Sequence, residues 1–169
     1  MQYTSAEANK LLKSLKEEYD AIRTNEEQTC TFVAATVENI EDVRPEYGFL
    51  ETQDELSALE EKIRKVKHAM NLFNTSHVIP EVGITIDEAL VLIPQLTAKK
   101  AKLEKMGNRL LKARKTSNYG MKSNFIEYEY ANYNISQAKQ MYAEVSAELS
   151  ALQLGLDKIN ATEKMEIDV

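Results

Sequence analysis

The side chains best suited to chemistry are basic and lie in the second half of the chain. Between positions 97 and 122 there are nine lysines and arginines and one acidic residue, Glu104, although the formal net charge of the chain is −6. Steps of three, four and three separate four of them, which places them on one helix face: Lys102, Lys105, Arg109 and Lys112. Such a stripe of cations could hold the phosphate groups of a nucleotide or metabolite.

A glycine-containing loop over 117–122 follows the stripe and could complete an anion site. Lys122 would add a cation, and Tyr119 could stack on a base or cap the pocket. The alternative is a solvated helix face that complements the helix C-terminal dipole and pairs with acidic helices. The acidic residues available for that pairing include Glu55, Glu60, Glu61, Glu144 and Glu148. Both interpretations remain open from the sequence.

A second polar group consists of Asn71, Asn74 and Thr75, near the end of a predicted helix. These side chains could line a polar pocket. The favoured interpretation is a helix cap and turn, because Asn tolerates the left-handed conformation and Thr bonds to its own backbone.

Catalytic and metal-binding patterns are missing from the sequence. His68 and His77 lie nine positions apart without a Cys or carboxylate at ligand spacing, so no metal site is expected. Cys30, in a β-like apolar stretch, is expected to be a buried, unreactive thiol. There is no P-loop, G-x-G-x-x-G, H-E-x-x-H or G-x-S-x-G. We therefore predict a protein that is not an enzyme and needs no cofactor.

Helix starts are marked by Ser or Thr followed three residues later by Glu, a pattern typical of capping boxes. The three examples begin at Thr4, Thr52 and Thr85, and Asn134 begins a weaker version. Apolar residues then repeat in alternating steps of three and four, as in Leu56, Leu59, Ile63, Val66, Met70 and Phe73. These patterns predict helices over about 5–26, 53–74, 86–115 and 135–160.

Two segments are predicted to be strands. Residues 29–37 are rich in β-branched side chains, and 124–131 alternate apolar and polar residues. Because an isolated strand is unstable, the two are expected to pair with each other or with another subunit. Tyr128, Tyr130 and Tyr133 are expected to pack in the strands, and the alternative is a platform on which bases stack. The fold class is therefore mainly α (α+β), an antiparallel bundle of long helices or coiled-coil-like helices with a small antiparallel strand pair.

Composition is typical of a globular protein. At 169 residues, with 43% hydrophobic and 28% charged residues, a single helical domain over 1–169 is expected. No secretory leader or membrane-spanning apolar run is visible, and a single cysteine suits a reducing compartment, so a cytoplasmic location is expected. The negative net charge argues against nucleic acid as a partner.

Four segments, taken in order, resemble a small, largely uncharacterised bacterial helical family, some of whose members are labelled septicolysin-like. The matching segments are Asn71-Leu72-Phe73-Asn74-Thr75, Thr85-Ile86-Asp87-Glu88-Ala89-Leu90, Lys122-Ser123-Asn124-Phe125-Ile126 and Ile159-Asn160-Ala161-Thr162-Glu163. Lys122 and Asn124 stand where the family often has Arg and Glu. The resemblance implies a helical fold and attaches no activity to it.

The family label would imply a membrane-active cytolysin. Cholesterol-dependent cytolysins are far larger and β-rich, with a tryptophan-rich membrane-binding loop, whereas this chain has no tryptophan. We expect no leakage from liposomes and no membrane partner. The leading hypothesis is a non-catalytic, homo-oligomeric interaction or scaffold protein, because such continuous apolar stripes bury more surface than one short chain supplies. The alternative is a binder of a phosphate-bearing nucleotide or metabolite in a basic pocket between subunits.

Overall fold

The computed structural model describes residues 1–115 and 126–169, and within them the fold is mainly helical. Five helices are present: α1 (Ser5–Thr29), α2 (Ile40–Val43), α3 (Phe49–Ser76), α4 (Ile86–Gly107) and α5 (Ile135–Thr162). Three two-stranded antiparallel sheets accompany them. Their strands are β1 (Gln2–Tyr3), β2 (Val78–Ile79), β3 (Ile84–Thr85), β4 (Lys112–Arg114), β5 (Tyr128–Tyr130) and β6 (Met165–Glu166). The predicted fold class is confirmed.

The described residues form two compact units. The first contains Met1–His77 and Lys158–Val169, and the second contains Val78–Asp157. The single domain expected over 1–169 stays a prediction.

In the first unit, α1 and α3 lie side by side and run antiparallel. The Tyr19 hydroxyl donates to Glu60 at 3.0 Å, and farther along the pair the Gln53 amide donates to Glu26 at 2.7 Å. The buried side chains on the two helices follow the predicted stripes: Ala8, Leu15, Leu56, Leu59, Val66 and Phe73. The β1–β6 sheet pairs Tyr3 with Met165.

The connection between α1 and α3 is anchored by a carboxylate. Glu26 Oε1 accepts from both the Tyr47 hydroxyl and the Gln53 amide, each at 2.7 Å. The hydrogen bond to Glu26 raises the pKa of Tyr47 to about 12, because losing the proton would set a phenolate against a carboxylate. Tyr47 therefore stays a donor at physiological pH and ties residues 44–48 to the end of α1.

In the second unit, the β2–β3 hairpin leads into α4. Gly83 turns the hairpin with a φ of 77°, which favours glycine. Helices α4 and α5 run alongside each other, since Lys100 Nζ lies 5.8 Å from the Tyr142 ring centroid and Gly107 lies beside Lys139. Buried residues again follow the apolar stripes: Ile86, Ala89, Leu96, Leu103, Ala138, Val145, Leu149 and Leu152.

Three predictions about the elements are wrong. Residues 30–39 form turns and loop, not the strand expected over 29–37. Helix α4 ends at Gly107 and not near 115, because Asn108 caps it and the chain turns into β4. Strand β5 consequently pairs with β4, with Ala113 opposite Glu129, and not with the 29–37 segment.

Two of the three full capping boxes are confirmed, at Thr4 and Thr85. The Thr4 hydroxyl accepts from the Glu7 amide at 3.3 Å, and the Thr4 amide donates to the Glu7 carboxylate at 2.8 Å. The third prediction is wrong, because α3 starts one turn earlier than expected. Gly48 is its N-cap, and the Thr52 amide already donates to the Gly48 carbonyl at 3.0 Å.

Because Thr4 caps a helix and Thr52 lies inside one, the same substitution at the two positions should affect stability differently. Thr4→Ala removes a cap and should lower the free energy of unfolding by about 1 kcal/mol. Thr52→Ala, inside a helix, should leave it unchanged or raise it by a few tenths, roughly the difference in helix propensity. Urea unfolding followed by far-UV circular dichroism measures both. Equal losses for the two variants would contradict the observed start of α3.

The pKa of Glu7 has a predictable effect on stability. Hydrogen bonds from the Thr4 backbone and hydroxyl lower the pKa of this carboxyl below its ordinary value. The carboxylate therefore stabilises the folded state at neutral pH, and this contribution is lost as the pH falls through the lowered pKa.

Candidate binding surfaces

The last turns of α4 place three of the predicted basic residues around one groove. Lys102 and Lys105 project from the helix, and Arg109 follows its C-terminal cap. Tyr133 closes another side, and its hydroxyl donates to the Met106 carbonyl at 2.9 Å. The groove measures about 410 Å³, which is within the range of small-ligand sites.

The cations of this groove differ in whether they form an ion pair with a carboxylate. Arg109 Nη1 lies 3.1 Å from a carboxylate oxygen of Glu129 on β5, in a solvent-exposed ion pair. Within residues 1–115 and 126–169, neither Lys102 nor Lys105 has an acidic partner within ion-pair distance. The two lysine ammonium groups are therefore available to an anion. Of the acidic helix residues considered from the sequence, Glu144 and Glu148 lie in the same unit as this stripe, and in the described part of that unit neither forms an ion pair with it.

The expectation that Lys112 continues the same helical stripe is wrong, because α4 ends at Gly107. Lys112 lies on β4, and its Nζ sits 4.0 Å from the ring centroid of Tyr128 and 5.5 Å from that of Tyr130. The structure thus brings Lys102, Lys105 and Arg109 together and directs Lys112 to a different partner. Tyr119 and Lys122 lie outside the described residues.

The polar group at the end of α3 is not gathered into a pocket. Thr75 donates its hydroxyl to the Asn71 carbonyl at 3.0 Å, as a residue inside the final helical turns would. Asn74 is half-buried, and Asn71 lines a groove between α1 and α3. A left-handed Asn cap is not formed, since every described non-glycine residue has negative φ.

The histidines and the cysteine are placed separately. His77 caps α3 and stacks on Phe73 with ring centroids 3.9 Å apart. Cys30 is exposed, contrary to the expected burial, because the segment 29–37, in which it was expected to form part of a packed strand, is a loop from residue 30 onward. In the part of the chain that the structure describes, no three His, Cys, Asp or Glu side chains come together as a metal site would require.

The surface that the sequence missed is the β4–β5 ribbon, residues 110–115 and 126–131. Its strands are extended by backbone hydrogen bonds from Lys115 to Glu127 and from Ala131 to Leu111. All three residues of β5 are exposed, so the expectation that Tyr128 and Tyr130 pack inside the protein is wrong.

The apolar side chains of the ribbon are unusually accessible. Leu110 and Leu111 each expose 70% of their surface, Ile126 exposes 63% and Tyr130 exposes 62%. In the sequence, apolar residues of this segment alternate with Lys112, Arg114, Glu127 and Glu129, a pattern typical of an antiparallel sheet with one face packed and one face solvated, so the sequence carried no signal that the apolar side chains would be exposed.

Among the described residues, no helix contains an apolar stretch long enough to span a membrane.

Comparison with known proteins supports the architecture. No protein-family model and no curated protein matches the chain. A crystal structure of a functionally unknown conserved protein from Corynebacterium diphtheriae is similar over 98% of this chain and 100% of that one, with a TM-score of 0.58. The two sequences are 16% identical, so this similarity shows a shared fold and nothing about activity.

Proposed function

We propose that this chain is a non-catalytic helical scaffold that associates with other copies of itself, and that the β4–β5 ribbon is the surface through which copies meet. One observation carries the proposal: Leu110, Leu111, Ile126, Tyr128 and Tyr130 are all exposed on a single short ribbon.

Two strands of three residues each, whose tyrosines and flanking leucines are exposed among the described residues, are marginal in water. A second copy would bury the exposed leucines and tyrosines and could pair with a strand edge that is open among the described residues. Tyr and Arg are also the residues enriched in protein interfaces. A two-fold symmetric contact presents the same ribbon twice, so one apolar surface serves both partners.

Native mass spectrometry and light scattering after gel filtration test this proposal. The wild-type chain should be a multimer. Leu111→Glu should raise its dissociation constant by at least about 30-fold, since burying a carboxylate in place of a leucine costs roughly 2 kcal/mol or more. The control is Leu154→Glu on α5, which introduces the same charge at an equally exposed leucine outside the ribbon. A monomeric wild type, or equal dissociation of both variants, would refute the proposal.

A second candidate function is binding of a phosphate-bearing nucleotide or metabolite in the α4 groove, at a site that a neighbouring subunit completes. Lys102 and Lys105, which have no acidic partner among the described residues, favour it together with Arg109, because lysine and arginine bind phosphate by charge-assisted hydrogen bonds.

Calorimetric titration with ATP and with inorganic pyrophosphate tests this second candidate. Lys105→Glu should abolish binding while the multimer survives, and Lys99→Glu, an exposed position of α4 outside the groove, should bind normally. Arg109→Glu should also abolish binding, but the new carboxylate would repel that of Glu129, the ion-pair partner of Arg109. Lys105→Glu has no such second effect and is the better test. Unchanged binding in Lys105→Glu would exclude the groove.

A further inference from the structure

A second groove lies in the first unit, between α1 and α3, and has a volume of about 580 Å³. On the α3 side it is lined by residues spaced three and four apart, among them Glu60, Ile63, Arg64 and Lys67, and on the α1 side by Lys16 and Tyr19. The α3 stripe runs from Glu60 to Asn71, which corresponds to roughly 16 Å of helix at 1.5 Å per residue. The groove is therefore long as well as open.

Cations predominate along this groove. Lys16, Arg64 and Lys67 are exposed, and in the described part of the chain none of them lies within ion-pair distance of a carboxylate. The carboxylate that lines the groove, Glu60, accepts the Tyr19 hydroxyl at 3.0 Å. Glu60 in turn raises the pKa of Tyr19, so this phenol keeps its proton and continues to donate. A chain of net charge −6 thus presents a locally positive surface here.

The groove between these cations is apolar. Ile63 and the ring of Tyr19 are half-buried on its two sides, and the methylene stems of Lys16 and Lys67 can lie along it. A ligand that suits both features has a negatively charged head and an apolar body. A bare phosphate would leave the apolar surface uncovered, and a neutral hydrocarbon would leave the cations unpaired.

We propose that the α1–α3 groove binds an anionic amphiphile, a single hydrocarbon chain with a phosphate or carboxylate head. The head is held by Arg64 and Lys67, and the chain lies along Ile63 and Tyr19. The site shares no lining residue with the α4 groove or with the ribbon, so its test is independent of the function proposed above.

Calorimetric titration with decyl phosphate, kept below its micellar concentration, tests the site on the full chain. Wild-type protein should bind it saturably, and inorganic phosphate and decanol should each bind at least about tenfold more weakly, because each offers one of the two features. Lys67→Glu should weaken binding of decyl phosphate by at least about tenfold, since it replaces attraction by repulsion at the head.

The matched control is Lys62→Glu, the same charge reversal on an exposed face of α3 that does not line the groove. It should leave affinity unchanged, which separates a site from a general effect of net charge. Far-UV circular dichroism should show both variants folded, because both positions are exposed. Absence of saturable binding by wild-type protein, or equal weakening by the two reversals, would overturn the proposal.

Vesicles containing phosphatidic acid distinguish the source of the ligand. Binding to vesicles that is lost in Lys67→Glu and kept in Lys62→Glu would identify a lipid head in a bilayer as the ligand. Binding of decyl phosphate without binding to vesicles would identify a freely dissolved amphiphile. Displacement of decyl phosphate by an acidic helical peptide of higher affinity would overturn the proposal in favour of a protein partner.

Discussion

Replacing Leu152 by alanine should lower the free energy of unfolding by about 2–5 kcal/mol, the range for a large buried aliphatic side chain. Leu152 lies on α5 and is 0% exposed. The substitution removes both the transfer free energy of the lost methyl groups and the van der Waals contacts of their neighbours. This is a large fraction of the stability of an ordinary domain.

The control for this prediction lies two residues farther along the same helix. Leu154 is 73% exposed, so Leu154→Ala deletes the same atoms and should change the free energy of unfolding by less than about 0.5 kcal/mol. Denaturant unfolding of both variants measures the difference. A loss at Leu154 as large as that at Leu152 would mean that α5 presents a different face to the core.

The second large effect is expected when glycine is replaced by alanine in a helix. The substitution should lower the melting temperature at Gly155 and should not lower it at Gly107. At Gly155 on α5, an added methyl would lie 2.6 Å from a side-chain carbon of the fully buried Ile79. Overpacking of this kind costs about 1–3 kcal/mol and outweighs the gain in helix propensity of roughly 1 kcal/mol. Gly155→Ala should therefore lower the melting temperature, even though alanine is the better helix former.

At Gly107, the last residue of α4, the same substitution meets a flexible neighbour. The added methyl lies 3.1 Å from a side-chain carbon of Lys139, which is exposed and can move aside. Gly107→Ala should leave the melting temperature unchanged or raise it. Differential scanning calorimetry of the two variants compares them directly, and a stabilised Gly155→Ala protein would show that α5 and the β2–β3 hairpin are less closely packed than described.

The helices could be predicted from sequence because the residues that repeat at helical spacing are the same residues that the helices bury. The stripe from Leu56 to Phe73 faces inward, and all of its members are buried or half-buried. Their ends were harder to predict. Apolar spacing continues past Gly107 to Leu110 and Ala113, so periodicity alone extends α4, whereas the Gly107–Asn108 pair ends it.

The prediction of a strand over 29–37 was wrong for a related reason. Val33 and Val37 are β-branched and favour extended backbone, but they are highly exposed, and within residues 1–115 and 126–169 no strand pairs with them. β-propensity mainly reports how a side chain fits a half-buried pleated surface, and no such surface is present here.

The candidate sites were only partly predictable. Lys102 and Lys105 could be placed together because they share a helix turn. The pairing of Arg109 with Glu129 and the position of Lys112 over Tyr128 depend on where α4 ends and which strand follows. The α1–α3 groove was missed because its cations come from two helices far apart in sequence, and only the antiparallel packing brings Lys16 near Arg64.

The β1–β6 sheet has a consequence for the order of folding. The amino group of Met1 donates to the Ile167 carbonyl at 2.9 Å across 166 positions, whereas Val82 and Ile79 join within the β2–β3 hairpin. Closing the longer loop costs roughly 3 kcal/mol more in chain entropy than closing the hairpin, and only a few backbone bonds offset it. The β1–β6 pairing should therefore form after the helices that bring its strands together, and its amides should be among the first to exchange with solvent.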